Sequence, residues 1–594
     1  MTQALNSAKS SQDTNTVTMF YQVGMSQPAS HLFEVTLQVT NWQQNVLKLI
    51  MPVWTPGSYL VREYARHVQD FVAYNSDRQL LKSNKVSKNH WEIVTGDSPS
   101  ITVQYRVFAN DLTVRTNHLD RTHGYFNGAA LFMFIPDFQQ QPITVEILPP
   151  NEDWQISTTL TPVDDKPNTF IAPDFDTLVD TPVEVGIHQV YDFEVLGKPH
   201  QYVVWGEGNL KAKKLIKDTQ KIIEVEAKIF DGLPYDKYLF LLHLSGSGFG
   251  GLEHKDCCTL NYPRLGFRDR DKYNRFMQLV AHEFFHLWNV KRIRPKALEI
   301  FDYERESYTT SLWFCEGTTS YYDILIPLRA GIYNRKQFLK NLSKDLNRYL
   351  TTPGRNVQPL NESSFDAWIK LYRRESHSDN NQISYYLKGQ WVALLLDLII
   401  REKHHNQKSL DDVMGILWHR YGKKEIGFTS EELRQIITEV ADTDLTDFFQ
   451  RYLDTTAELP FDKYLEPFGL KVKPIKESEP VPYLGVRLQS ENSKEVIKFV
   501  EADSPAAIAG IDPGDEILAI DGIRVNADSL SDRLKDYQPH DTIAVSIFHQ
   551  DELITLNATL AQPQPNRYEV VQLENLSDTQ KENLSGWLGQ VKEK

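Results

Sequence analysis

His282-Glu283-Phe284-Phe285-His286 is the stretch on which the reading of this chain turns. It lies in a segment, Asp271 to Val290, whose pattern predicts a helix. Two histidines four apart lie one turn apart on the same helix face, so both imidazoles reach a single metal ion. Glu283 points about 100° away around the helix. That places its carboxylate beside an ion rather than on it, where it can take a proton from water. The motif alone also fits two surface histidines, so its surroundings must decide.

A third ligand is needed, and Leu312-Trp313-Phe314-Cys315-Glu316-Gly317 follows thirty residues after His286. Two histidines and one carboxylate leave a fourth position open, the arrangement of a catalytic rather than a structural zinc site. Glu316 is the expected ligand, with one Zn2+ per chain. A helix cannot aim neighbouring residues at one ion, so Cys315 reads as a buried thiol. Asp323, two turns beyond Glu316 on the same face, either accepts the second N–H of a ligand histidine or is a surface carboxylate.

At 594 residues the chain is too long for one core, and three or four domains are expected. A net charge of −15 argues against nucleic acid or an anionic membrane as partner. Three cysteines, two of them adjacent, make no disulfide framework and fit a reducing compartment. Residues 1–16 contain no apolar core of a signal peptide. The apolar run Trp391 to Ile400 is short and holds Asp397, which reads as a core helix. A cytoplasmic protein is expected.

In chain order, 1–16 are polar and expected to be disordered. Residues 17–205 alternate in strand fashion, as in Phe33 to Val39 and Ile101 to Val107, and predict a β-sandwich-like domain. Two polar-aromatic loops stand out there, Trp54 to Tyr59 and Arg121 to Gly128; they either face a neighbouring domain or express turn chemistry. His118 and His123, five apart, have a poor metal spacing and read as structural. Residues 206–470 are mainly helical around a small sheet, an α+β catalytic domain. A charged linker is expected at 471–480, an independent unit at 481–562, and a tail at 563–594 with a short helix from Ser577 anchored by Trp587.

Gly250-Gly251-Leu252-Glu253-His254, the His282 motif with Trp288-Asn289, Trp313 to Gly317 and Tyr386-Leu387-Lys388-Gly389 together resemble the gluzincin zinc aminopeptidases. Their order resembles the alanyl-aminopeptidases. The details, with Trp54 to Tyr59 and the C-terminal unit, are more similar to the glycyl-aminopeptidase family. That resemblance implies a β-sandwich-like N-terminal domain, a thermolysin-like, mainly helical catalytic domain and a C-terminal PDZ domain of β-barrel-like form. It implies that Gly250, Gly251 and Glu253 lie on a sheet edge beside the substrate, with Glu253 binding a free amino terminus. His254 departs from the asparagine of the alanyl enzymes. It further implies that Tyr386 donates to the oxyanion, with Tyr385 an adjacent alternative, and that N-terminal Gly or Ala is preferred. Tyr483, Leu484, Gly485 and Val486 match the carboxylate-binding loop of a PDZ domain, implying a peptide C-terminus as partner; the alternative is a domain that only packs against the catalytic cleft.

The function expected is zinc-dependent release of N-terminal residues from peptides with a free N-terminus. The rivals are a zinc endopeptidase and a PDZ-based binding scaffold whose zincin domain is inert.

Overall fold

Alternation builds the first sheet. Phe33, Val35, Leu37 and Val39 are buried on one face of the strand Leu32–Thr40, and Ile101, Val103, Tyr105 and Val107 are buried opposite them on Ser100–Phe108. The computed structural model describes residues 16–475 and 479–589, so nearly all of the stretch expected to be disordered lies outside the described residues. The chain divides into two compact units: Met1–Ile216 with Pro234–Leu279 and Ile300–Ser307, and Lys217–Leu233 with Val280–Glu299 and Tyr308–Lys594.

In the first unit, a seven-stranded sheet runs Thr161–Pro162, Thr169–Ala172, Ile143–Leu148, Thr18–Gly24, Leu32–Thr40, Ser100–Phe108, Val68–Asn75. It shares one apolar core with a three-stranded sheet, through Leu47, Leu49, Trp91 and Ile93, and with a four-stranded sheet, through Leu119, Phe126, Val183 and Val185. This is the sandwich-like domain.

The hairpin Gln189–Val195 and Lys198–Trp205, expected to close that domain, belongs instead to a five-stranded sheet. Lys198–Trp205 pairs parallel with Tyr238–Ser245. Tyr202, Val203 and Val204 are consecutive buried residues, so both faces of this strand are covered, as in an interior strand with a partner on each side. Cys257–Pro263 follows in the sheet, and Gly250–Glu253 forms its edge.

The second unit is helical around Tyr385–Lys403. Ser384 caps that helix by accepting the Leu387 N–H. It is apolar enough to cross a membrane by composition alone, yet it is buried within the helical body. Its buried carboxylate, Asp397, is paired with Arg401 at 2.8 Å. The C-terminal sheet orders Val486–Glu491, Lys494–Val500, Glu516–Ile520, Thr542–His549, Glu552–Thr559 around its own core of Ile497, Ile517, Val545 and Ile547.

The expected linker needs correction. Leu470–Pro474 is a strand, paired antiparallel with Tyr568–Gln572 so that Val472 faces Val570. Its partner lies in the tail, beyond the intervening domain, and no local pattern announces such a pairing. Residues 476–478 lie outside the described residues. The tail helix Asp578–Leu588 starts in a capping box at Ser577. Trp587 is 2% exposed, edge-on to Phe338 and Phe468, and donates its indole N–H to Tyr321 at 2.8 Å. Trp587→Ala should cost about 3–5 kcal/mol; a thermal-unfolding midpoint and tail proteolysis unchanged from wild type would show that the tail helix is not held by this residue.

Candidate active site

The helix that carries His282 runs Arg270–Phe285, shorter than the expected span to Val290, and His286 follows directly on its last residue. Past Phe285 the chain tightens into turns, with Lys291 N–H returning to the His286 carbonyl at 3.0 Å. The winding still brings both imidazoles together, their ring centroids 4.6 Å apart. His286 Nε2 lies 3.2 Å and His282 Nε2 3.6 Å from Glu316 Oε2. Ligand atoms about 2.0–2.2 Å from a tetrahedral zinc are about 3.3 Å apart, so this donor set fits the ion.

The opposite ring nitrogens are both engaged. His282 Nδ1 lies 2.9 Å from Asp323 Oδ2, and His286 Nδ1 lies 2.6 Å from the Asn289 carbonyl. Nδ1–H donation to these acceptors leaves each Nε2 as a lone-pair donor. Burial pushes the Asp323 carboxyl up to about 6, against the opposing pull of His282. Glu316 is also fully buried, but His286 and His282 outweigh that penalty and hold its carboxyl well below the usual range.

Glu316 stands in a π-helical turn, Trp313–Thr318, that the sequence pattern does not reveal. Such turns insert one residue and recur at functional sites. Asn289 braces it: its side-chain amide donates to the Phe314 and Cys315 carbonyls, each at 3.2 Å. Cys315 is buried. Gly317 abuts Gly389 of the helix Tyr385–Lys403, and a Cβ on Gly317 would lie 2.5 Å from the Gly389 Cα. That backbone contact explains why the Glu-Gly and Lys-Gly motifs occur together.

The same helix begins with the two tyrosines. The Tyr386 ring stacks on His282 at 6.3 Å, and its hydroxyl lies 2.9 Å from that of Tyr372. Tyr385 donates to Tyr372 at 3.3 Å. Burial, and then the charge of Glu316, push the Tyr386 phenol well above its ordinary value, so it stays protonated. Sequence patterning misses Tyr372, which belongs to no motif. It misses Glu226 too: that residue is fully buried, neither carboxyl oxygen has a hydrogen-bond partner among the described residues, and burial pushes its carboxyl up. Glu283 is 4% exposed, on the same helix as His282.

In the first unit, Gly250, Gly251 and Glu253 lie on the edge strand of the five-stranded sheet. Glu253 is buried, and its Oε1 has no hydrogen-bond partner among the described residues. The loop Trp54 to Tyr59 closes over it. Gly57 has φ +84°, and a Cβ there would lie 2.5 Å from Glu253 Oε1. Thr55 reaches the second polar-aromatic loop, donating to Asn127 at 3.2 Å. Arg115 donates to the Gly251 carbonyl at 3.3 Å, and His254 lies against Asp180 at 3.2 Å.

In the C-terminal domain, the Tyr483 N–H is committed to the Ala561 carbonyl at 3.0 Å. Leu484 and Gly485 offer their carbonyls to Ala506 and Glu501, and Val486 opens the edge strand Val486–Glu491. Asn380 of the helical body accepts from the Ala502 N–H at 3.0 Å and donates to the Val500 carbonyl at 2.9 Å. Asp379 beside it pairs with Arg487.

Family models match at residues 20–187 (the peptidase M61 N-terminal domain), 275–392 (M61 glycyl aminopeptidase) and 482–560 (a PDZ domain). The crystal structure of an aminopeptidase N family protein from Idiomarina loihiensis is similar at TM-score 0.90 and 31% identity, covering 96% of this chain and 100% of that one. An M1 zinc metallopeptidase from Deinococcus radiodurans matches at TM-score 0.46 and 12% identity, over 75% of this chain and 95% of that one. No curated protein matches. The chain belongs to the M61 glycyl aminopeptidase family and is a zinc metalloaminopeptidase carrying a PDZ domain.

Proposed function

We propose that this enzyme removes the N-terminal residue, Gly or Ala by preference, from peptides with a free amino terminus, using one catalytic zinc ion per chain. The observation that carries the reading is the spacing of His282, His286 and Glu316, 3.2 Å and 3.6 Å between imidazole nitrogens and the carboxylate oxygen, with both opposite ring nitrogens engaged. Zinc held by these three residues supplies Lewis acidity, polarising a carbonyl and lowering the pKa of a water towards about 7.

The remaining roles fall to the chain's own groups. Glu283 accepts the proton of the attacking water and returns it to the leaving amine. Tyr386, protonated, donates its hydroxyl to the oxygen on which charge develops. Glu253 pairs with the substrate's α-ammonium. A buried carboxylate oxygen without a partner is costly, and an ammonium group supplies the missing donors. The preference for Gly or Ala rests on the family match alone. The PDZ loop is assigned a peptide C-terminus on the same basis, with the Tyr483 N–H unable to take part because Ala561 holds it.

The decisive experiment compares Gly- and Ala-p-nitroanilide with their N-acetylated forms, before and after chelation and zinc restoration. Turnover of blocked substrates at comparable rates would demote Glu253 and make the enzyme an endopeptidase; no turnover of any by zinc-loaded protein would favour a binding scaffold. Glu283→Gln should lower kcat by about 10²–10⁴ with zinc content unchanged. Tyr386→Phe should lower kcat by about 10²–10³ with little change in KM, whereas a larger loss in Tyr385→Phe would transfer the role. Glu253→Gln should raise KM for free-amine substrates and narrow the gap to acetylated ones. Gly57→Ala should act in the same direction, because its methyl group collides with the Glu253 carboxylate; a wild-type KM in both would remove Glu253 from the amine site.

A further inference from the structure

A second set of metal-ligand side chains lies on the four-stranded sheet of the first unit. The hairpin His118–Leu119 and His123–Phe126 pairs His118 with Tyr125 and Leu119 with Gly124, and the Asp120 N–H bonds the His123 carbonyl at 2.9 Å. Directly opposed residues of antiparallel strands share a face, as do residues two apart along a strand. His118, Asp120 and His123 therefore project from one face, although a five-residue spacing suits no helix. A ring nitrogen of each histidine and a carboxylate oxygen of Asp120 lie within 4.8 Å of one another.

The donor atoms are spaced as metal ligands are. His118 Nε2 lies 3.3 Å from Asp120 Oδ2, close to the spacing at Glu316 and to that of two ligands on a tetrahedral ion. His118 Nδ1 has no hydrogen-bond partner among the described residues, and Nε2 meets only the Asp120 carboxylate. Asp120 Oδ1 is fixed by the Thr122 N–H at 2.7 Å, the Thr122 hydroxyl at 2.6 Å and the His123 N–H at 3.2 Å, so Oδ2 is left over. His123 is fully buried and stacked on Trp205 at 3.7 Å. Its Nδ1 is engaged with Glu184 Oε1 at 2.7 Å, while its buried Nε2 has no partner among the described residues.

Glu184 stands to His123 as Asp323 stands to His282: a carboxylate that fixes the tautomer and presents Nε2. Its second oxygen is taken by His243 at 2.9 Å. Those 2.7 and 2.9 Å contacts are hydrogen-bond lengths, too short for neighbouring ligands of a tetrahedral ion, so the His123-Glu184-His243 grouping supports the site rather than forming it.

We propose that His118, Asp120 and His123 bind a second divalent transition-metal ion of the zinc class, with Glu184 positioning His123. Asp120 is one-third exposed, which gives the ion an entry path and leaves a coordination position for water. Imidazole and carboxylate donors favour such ions over calcium or magnesium. The ion cross-links the two arms of the hairpin at its turn.

The test uses the full chain with His282→Ala and His286→Ala, dialysed against zinc and assayed by elemental mass spectrometry. One equivalent should remain, and adding His118→Gln should remove it. His118 is mostly buried but takes no part in the Glu184 bridge, so that replacement leaves the supporting contacts in place. In parallel, His118→Gln alone should lower the zinc content of otherwise wild-type protein from two equivalents to one. A wild-type content of one equivalent, or two equivalents unaffected by His118→Gln, would overturn the site; the single variant decides the point even if the multiply substituted chain folds poorly.

Discussion

The candidate zinc-binding cluster depends on giving two imidazole N–H groups somewhere to go. A histidine offers a metal one nitrogen only if the other is protonated and satisfied, and a buried N–H without an acceptor costs about 1–3 kcal/mol. His282 finds Asp323, from the helix that follows Glu316. His286 finds the Asn289 carbonyl in its own turn, and the Asn289 side chain in turn holds the carbonyls of Phe314 and Cys315, the two residues before Glu316. The second and third candidate ligands, His286 and Glu316, are thus set by one residue. The π-helical turn, the early end of the helix and the asparagine after Trp288 are parts of a single arrangement.

A second constraint is steric. Gly317 and Gly389 meet backbone to backbone, which no side chain at either position allows without displacement. This contact sets the turn bearing Glu316 against the helix whose first residues are Tyr385 and Tyr386. The distance between the Glu316 carboxylate and the Tyr386 phenol is therefore fixed by two absent Cβ atoms. In the sequence these glycines look like motif punctuation, and their mutual contact emerges only when the helices are packed.

What is legible in the sequence follows from periodicity. His282 and His286 share a helix face by spacing alone, Phe33 to Val39 declare a strand, and Ser577 marks the start of a helix. Partnerships between distant segments leave no such trace. Lys471 to Pro474 read as a charged linker because their partner strand lies in the tail, and Lys198 to Trp205 read as the end of one domain because the parallel partner comes after a helix. A helical criterion dismisses His118 and His123, whereas a hairpin aligns residues across strands rather than along them. Tyr372 and Glu226 belong to no motif, and only burial and contacts distinguish them.

The N-terminal domain is more than a support for the five-stranded sheet. Its Trp54 to Tyr59 loop covers Glu253 so closely that only glycine fits at position 57, and Thr55 ties that loop to Asn127 in the second polar-aromatic loop. Enclosing a carboxylate while leaving one oxygen without a donor destabilises the free protein, and a structural role would favour a neutral or paired residue there. The cost is offset if a ligand brings the missing positive charge. Under the proposed function, the loop's packing deepens the desolvation of Glu253, strengthens its attraction for an α-ammonium, and penalises an acetylated terminus that leaves the carboxylate buried and unpaired. Specificity for a free amino terminus then arises in the β domain's loop as much as in the strand that carries the glutamate.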